Sequence, residues 1–561
     1  MIASSSPAAL PNRLFYALLA VGVALNATGL LLPIIEPDNG LYATITKTMA
    51  ESNDLVRLYV FGLDWLDKPR FPFWVTVASY NLFGINAFGY KFPALLFYLA
   101  GVFYTYRFAR LAYSQLVAQV AALVLLTAFH TILSNNDVRG EPYLTGLIIG
   151  AVYHFYRLYR NGPGWHLWLG SLLTGCALMT KGPIVLIPIG SGLVIDWLLT
   201  GHWRELLRPR WYAAVVLSLL FATPELYCLY LQFDSQPDKI TYGERGISGI
   251  RFFFWDSQFG RFFNTGPIKG DGDKFFFLHT LLWAFLPWSL PLYASIGQAV
   301  ARLVRRQHPL PEYVSLGSGV ITFVLFSLSK FQLPHYLNVL FPFYAILTAQ
   351  FLVGLAPAAL RRWTIGQTMI GLLLAGLLVW SLLLVEPDRL ALAIGWVVVI
   401  TVLTLLLFRG TDLRALMGRM MGAMLVLAVV MNLFLFGTFV QYQAGMMAAR
   451  LANAQPGLAG QKTLLYGSET FGESSWTYEF DFHGPTQYIH TDSTLRQLVA
   501  QKPMPVFTTA VYADSLVQRG FRVRRLAVFP YFHISQPSYA FLNHDTRASA
   551  TKPYVLLEVG R

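Results

Sequence analysis

Six short stretches of this chain set carboxylates and cations directly beside apolar runs. EPDNGLYATITKTMAESND carries Glu36 and Asp38, and DWLDKPRFPFW carries Asp64, Asp67, Lys68 and Arg70. SNNDVRGEPYLTG brings Asp137, Arg139 and Glu141, while LMTKGPIVLIP has Lys181 at a Gly-Pro break. RFFFWDSQFGRFFNTG holds Arg251, Asp256 and Arg261, and SLSKFQLPHYLNVLFP holds Lys330, His335 and Tyr336. A carboxylate next to hydrocarbon costs on the order of 2.5–3.5 kcal/mol at mid-bilayer, less at the interface, unless it is paired, wet or functional. Lysine is a compact charge suited to a phosphate oxygen, and arginine can fork to two. Together the stretches describe a cationic, carboxylate-containing, aromatic-rimmed pocket that could hold a phosphate and stabilise charge growing on it.

Each stretch also has a plainer explanation. Asp38 or Asn39 would cap a helix over 40–52, worth about 1 kcal/mol. Snorkelling lysines and interfacial tryptophans would produce the DWLDKPRFPFW knot. Glu141 before Pro142 is a good helix start. Lys181 is harder to dismiss, because a Gly-Pro turn does not need it. His279 and His335 are the histidines considered as metal ligands, and each reads more simply as a helix-end residue. No spacing resembles HExxH, a Cys/His zinc site or a phosphate-binding glycine loop. The residues therefore require no cofactor, although a divalent ion could bridge acid and phosphate. A nucleotide-linked donor is not expected, which favours an activated lipid phosphate.

The elements that must position these residues follow from composition. The chain has 561 residues, of which 55% are hydrophobic and only 13% charged, about half the charged fraction of soluble domains. Apolar runs long enough to cross ~30 Å of hydrocarbon recur from Leu14 to near Phe439. A polytopic α-helical membrane protein with about thirteen spans follows, near 14–33, 89–107, 115–133, 142–159, 166–180, 183–200, 211–232, 275–299, 313–329, 335–355, 363–384, 388–408 and 417–440. The net charge of +13 does not indicate nucleic acid. Its arginines sit in short loops, at Arg107/Arg110, Arg157/Arg160, Arg204/Arg208/Arg210, Arg302/Arg305/Arg306, Arg361/Arg362 and Arg409/Arg414/Arg419, the bias of a cytoplasmic face. With the N-terminus inside, every cluster falls on that face, and the six stretches and the C-terminal segment fall outside.

Residues 1–444 are thus expected to form the transmembrane domain, with a first outer loop at 34–88 and a second at 233–274. In GLYATITKTMAESND, Leu41, Ile45 and Met49 recur beside Thr44, Lys47 and Glu51, the pattern of a helix lying in the interface. A second interfacial helix is expected from Pro72. Cys176 and Cys228 both lie in apolar segments and suggest neither a disulfide nor a thiol metal site. From 445 to 561, KTLLYG, TQYIH, PVFTTA, FRVRRLAVF and KPYVLLEV read as strands, with STLRQLVAQ and YADSLVQRG as helices between some of them. A small soluble α/β domain in an accessory role is expected.

In that order, EPDNGLY, DKPRFPFW, VRGEPYLTG, LMTKGPI, FFWDSQFGRF and SLSKFQLPHYLNVLFPFYA resemble the bacterial 4-amino-4-deoxy-L-arabinose lipid A transferases. More broadly they resemble the GT-C lipid-linked glycosyltransferases, which include the dolichyl-phosphate-mannose protein mannosyltransferases. The likeness covers residues 14–355, and TKGP and SLSKxxLPxY are its most specific parts. It implies an inverting glycosyltransferase of the bacterial inner membrane, with its active site and C-terminal domain in the periplasm. The donor would be an undecaprenyl phosphate-linked sugar and the acceptor a lipid A phosphate, giving resistance to polymyxin-type cationic peptides. Among membrane lipids the protein is expected to act as a monomer.

Carried over residue by residue, the resemblance makes Asp38 the catalytic carboxylate and Asp67 a second acid, with Glu141 lining the site. Lys68 would bind the donor phosphate, and Lys181, Arg261 and Tyr336 would hold phosphate or lipid; Arg70, Arg251 and Lys330 are the further phosphate or lipid candidates. The family usually has a second acid after the first, where this chain has Asn39, which argues against a two-carboxylate or metal-binding loop. Its Glu-Lys-Pro-Pro is Asp67-Lys68-Pro69-Arg70 here, with the charge type intact. Another polyprenyl-phosphate-sugar transfer, such as protein mannosylation, is the alternative. A transporter or flippase would place ionisable residues near the midplane, whereas here they gather at one end.

Overall fold

The computed structural model describes residues 9–560 apart from 36, 267, 308–309 and 468–473; Glu36 therefore lies outside the described residues. A helix stands at each place where an apolar run was expected to span. Among the described residues, six helices are long and apolar enough to cross a membrane, or eight if each of two bent pairs counts as one span. Part of the difference from about thirteen lies in helices short of a full span, such as Pro183–Leu199 and Val314–Leu328, and part in breaks that hydropathy runs straight through. Gln115–Leu126 and Phe129–Asn136 meet at 50°, Pro209–Phe221 and Thr223–Asp234 meet at 43°, and the 275–299 run divides into Phe276–Ala284 and Ser289–Val304 around Pro287. A proline removes a helical donor and clashes with the preceding turn.

The first helix, Asn12–Ala27, tightens into a 3₁₀ turn at Thr28–Leu31. The carbonyls at and just beyond its end are collected by Lys91 from the Ala87–Ala112 helix. The Lys91 ammonium donates to the carbonyls of Gly29, Leu32 and Pro33 at 3.1, 2.9 and 3.2 Å. This fully buried lysine thereby sets where the chain leaves the first helix toward Asp38. A second polar seam ties the same region to the Leu413–Val429 helix. Asn432, on a π-helical turn at Val430–Leu435, donates to Thr28 at 2.6 Å and accepts from Asn136 at 2.8 Å.

Two amphipathic helices fill the first long loop, Asp38–Ser52 and Phe71–Phe83, the second with Pro72 in its first turn. The capping explanation for Asp38 fails. The helix begins at Asp38 itself, Pro37 precedes it, and no side chain caps it. The polar side of this helix packs on the C-terminal domain, with Thr44 donating to the Trp476 carbonyl at 2.7 Å.

Arg70 is the buried strut of this loop. Only 1% exposed, it donates to Glu225 at 2.7 Å, to Gln232 at 2.6 Å and to the Val56 carbonyl at 2.7 Å, while its own amide donates to Glu225 at 2.8 Å. Removing one member of a buried pair leaves the other charge uncompensated, at a cost of about 3–5 kcal/mol. Arg70→Met is accordingly expected to lower the unfolding temperature of the detergent-solubilised protein strongly, and Arg70→Met/Glu225→Leu to recover part of the loss.

The C-terminal domain is a five-stranded mixed sheet in the order Thr486–Ile489, Thr463–Tyr466, Met504–Thr509, Lys552–Gly560, Arg522–Tyr531. The first three strands are parallel and the last two pairings antiparallel. Its central strands are buried on both faces, which is why TLLY and VLLEV read as nearly continuous apolar runs. Ser474–Asp481, Asp492–Val499 and Ala510–Gln518 are among its helices.

Candidate active site

Two cavities meet where the six charged stretches converge. The larger, about 440 Å³, is walled by Leu66, Ile184, Leu229, Phe252, Phe262 and Phe326, among other apolar side chains. The smaller, about 50 Å³, is lined by Asp38, Tyr42, Arg139, Glu141 and His335. Lys68, Lys181 and Tyr336 border both, so the cations stand at the junction of an oily chamber and a polar one.

Each side chain at the junction is aimed by a local backbone feature. Lys68 sits between two short helices of the first loop, ahead of the Pro69-Arg70 step that the Glu225 pair anchors. Lys181 ends the Trp165–Lys181 helix. The next residue, Gly182, adopts φ 83° and ψ −169°, a region essentially confined to glycine. A Cβ there would also stand 2.6 Å from the Gln258 side-chain nitrogen. This turn sends the Lys181 ammonium to the Glu141 carboxylate and to within 4.1 Å of the Tyr336 ring centre. Glu141, 2% exposed, opens the Glu141–Tyr159 helix. Arg261 follows a π-helical segment, Phe252–Gly260, a geometry that often marks functional sites. It pairs with Asp67 and lies over the Phe331 ring.

The electrostatics are those of an over-cationic junction. Asp67 accepts from Lys68 at 2.5 Å and also pairs with Arg261. Burial pushes the Asp67 carboxyl up, but the two cations outweigh it and hold the group below the usual aspartate range. Burial lowers Lys68, Asp67 opposes that, and the neighbouring Arg261 and Lys181 charges push it further down. A dianionic or monoanionic phosphate at the junction would relieve this crowding of positive charge.

In the smaller cavity Arg139 joins two acids, Asp38 at 2.7 Å and Asp137 at 3.0 Å. Burial works against the guanidinium charge, and the two carboxylates overcome it and raise the pKa of Arg139. His335 lies 3.4 Å from Arg139 and 3.8 Å from Glu141. Tyr42 is packed between Trp65 and Phe73, and burial, followed by the Asp38 charge, keeps its hydroxyl well above the ordinary tyrosine value.

Asp38, Asp67, Lys68, Glu141, Lys181, Arg261, Tyr336 and His335 are thus brought to one place. Four expected residues are not available there. Arg70 touches the larger cavity, yet its donors are spent on Glu225, Gln232 and Val56. Arg251 is 73% exposed and faces Asp256 at 3.5 Å. Lys330 is exposed, and its amide donates to the Phe262 carbonyl at 3.1 Å. His279 is exposed on the Phe276–Ala284 helix. Among the described residues, no three His, Cys, Asp or Glu side chains converge to hold a metal ion; the acids of the site face Arg139, Arg261, Lys68 and Lys181 instead. Arg139 is the central residue to which the sequence assigned no role. Its signal was its place two residues before Glu141, but its pairing with an acid of another loop required the fold.

A polytopic helical body with a phosphate-sized cationic junction opening on an apolar chamber defines the class to which known proteins can be compared. Residues 67–228 match the family model described as dolichyl-phosphate-mannose-protein mannosyltransferase. The chain is 28% identical, over 60% of its length, to the undecaprenyl phosphate-alpha-4-amino-4-deoxy-L-arabinose arabinosyl transferase of Edwardsiella ictaluri, and 29% identical, over 54%, to that of Pseudomonas aeruginosa. These matches cover 59% and 52% of the relatives, so the chain spans between half and three fifths of their length. Its fold is that of ArnT from Cupriavidus metallidurans, crystallised in the apo state and with undecaprenyl phosphate. The apo structure superposes with a TM-score of 0.75 at 20% identity, covering 96% of this chain and 97% of the other.

Proposed function

We propose that the protein is a GT-C glycosyltransferase that moves 4-amino-4-deoxy-L-arabinose from undecaprenyl phosphate to a lipid A phosphate at the periplasmic face of the bacterial inner membrane. The observation that carries this reading is the junction of Lys68, Lys181 and Tyr336 between the apolar chamber and the polar pocket. The apolar walls of the first suit a prenyl chain, the polar lining of the second suits a sugar's hydroxyls and amine, and the phosphate that links them would fall among the cations. The similarity to aminoarabinosyl transferases over more than half of the chain supports the choice of donor.

In this reading Lys68 and Arg261 stabilise the charge that grows on the leaving phosphate, the large electrostatic contribution expected of such a site. Their shared partner Asp67 keeps them oriented. The acceptor oxygen attacks the anomeric carbon from the opposite face, and the configuration inverts. A lipid A phosphate is already ionised near neutral pH and needs no strong base, so Asp38, held by Arg139, orients the sugar and faces its ammonium. Lys181 and Glu141 close the pocket floor.

Deleting the gene from its bacterium and comparing lipid A by mass spectrometry tests the reading. A pentosamine-sized mass addition that disappears on deletion and returns with the wild-type gene is the expected result. Lipid A masses that do not change would overturn it. The match of residues 67–228 to the protein mannosyltransferase model favours one second reading, transfer of a polyprenyl-linked sugar to a hydroxyl; there Asp38 would have to take a proton.

A further inference from the structure

We infer that Lys47 is a positioning residue, through which the C-terminal domain holds the Asp38-bearing helix in register with Arg139; this rests on the proposed transfer reaction. Among the contacts between the domain and the membrane body, two bear on this. At one, remote from the site, Arg547 donates to the carbonyls of Val385, Phe541 and Leu542 at 2.6, 2.9 and 3.1 Å, closing the end of the Pro357–Val385 helix. At the other, the Ser474–Asp481 helix lies on Asp38–Ser52. There the Lys47 ammonium, 11% exposed, donates to the carbonyls of Glu479, Phe480 and Phe482 at 2.7, 3.2 and 2.8 Å. These are carbonyls at a helix C-terminus, which lack helical partners and carry partial negative charge. All three ammonium hydrogens are used, so the contact fixes a position and not merely a charge balance.

Asp38 and Lys47 belong to one helix and lie nine residues apart, about 13 Å along its axis. Asp38 has no cap of its own, and its partner Arg139 comes from another loop at 2.7 Å. The Asp38–Arg139 distance therefore depends on how the helix is seated. Upstream that seat is the Lys91 clamp; downstream it is Lys47 and Thr44 against the C-terminal domain. The same contact buries acid. One carboxylate oxygen each of Glu479 and Asp481 is buried without a hydrogen-bond partner. Lys47 and Glu51 face Glu479, and Arg450 and Lys47 face Asp481. Burial, the largest cause, raises Glu479 to about 7 and Asp481 to about 6. Groups raised in the docked state favour docking at low pH, and that contribution is lost as pH rises through about 6 to 7.

The test compares wild type, Lys47→Met and Lys47→Arg as full-length protein in lipid nanodiscs. Hydrogen exchange of residues 38–52 and 474–482 is read alongside kcat and donor KM for undecaprenyl phosphate-linked aminoarabinose. Lys47→Met is expected to speed exchange in both segments and lower kcat about tenfold or more, with donor KM within about twofold, since a small misplacement costs rate before it costs donor binding. Lys47→Arg should restore most of the rate. Wild-type protection factors in both segments, corrected for the intrinsic rise of amide exchange with pH, should fall between pH 6 and about 7.5, and Glu479→Gln/Asp481→Asn should flatten that fall. Exchange that does not change, or faster exchange with kcat intact, overturns the proposal. Should Lys47→Met not fold, Thr44→Val, which removes one hydrogen bond of the same seat, must show the same split at smaller size or the proposal falls. A wild type that responds in exchange but transfers no sugar overturns the proposed reaction instead, a distinguishable result.

Discussion

Lys68→Ala is expected to fold and insert as the wild type does and to lose transfer by about 10²–10³-fold, the cost of removing one preorganised donor from a developing oxyanion. The fold should survive because Asp67 keeps its second cation, Arg261, and no buried acid is left alone. The loss should appear in both donor KM and kcat, because the phosphate is bound in the ground state and grows more negative as the sugar leaves. Lys68→Arg should recover little: guanidinium is planar where the junction holds a compact ammonium between Asp67 at 2.5 Å and the cavity. Burial and the nearby Arg261 and Lys181 charges already lower the pKa of this lysine. The protonated form is the one that binds phosphate, so wild-type activity should decline with rising pH earlier than an ordinary lysine would allow. Steady-state kinetics with purified donor, repeated across pH, checks both statements. A Lys68→Ala protein with full turnover would remove the donor-phosphate role.

Asp38→Asn is expected to lower kcat by about 10²–10³-fold, the scale for loss of one preorganised polar group at the reacting centre, while binding of undecaprenyl phosphate stays near the wild-type value. The separation is spatial. Asp38 lines only the smaller cavity, whereas Lys68 borders both and Arg261 lines the larger. Asparagine preserves the shape, and Arg139 retains Asp137 at 3.0 Å, so no guanidinium is orphaned and the melting temperature should barely move. Binding of the lipid phosphate by calorimetry, set beside single-turnover transfer, separates the two functions. An Asp38→Asn protein that transfers normally but binds the donor lipid poorly would reverse the assignment of the two chambers.

The helical plan was legible because hydrocarbon penalises every unpaired backbone group, so long apolar runs must be helices. The bends after Leu126 and Phe221 were not legible, since both halves of each run remain apolar. Strands of the C-terminal domain showed as short apolar runs bounded by turn residues. Within the site, Lys181 was recognisable because a Gly-Pro turn has no use for a lysine. Arg70 and Arg261 looked equivalent in sequence, each an arginine among aromatics. Only the fold sets Glu225 and Gln232 around the first and leaves the second facing the larger cavity.

Alone, the sequence determined that this is an oily helical protein with its rare charges gathered beside aromatic loops, because desolvation makes misplaced ions too costly to scatter. Which ions act as struts and which stand open to a ligand was decided by tertiary structure alone. Arg139 paired with Asp38, Arg70 locked to Glu225, and Lys47 plugged into a helix end are all pairings between distant segments. A charge's role depends on the partner that reaches it within about 3 Å, and chain order carries no record of that distance.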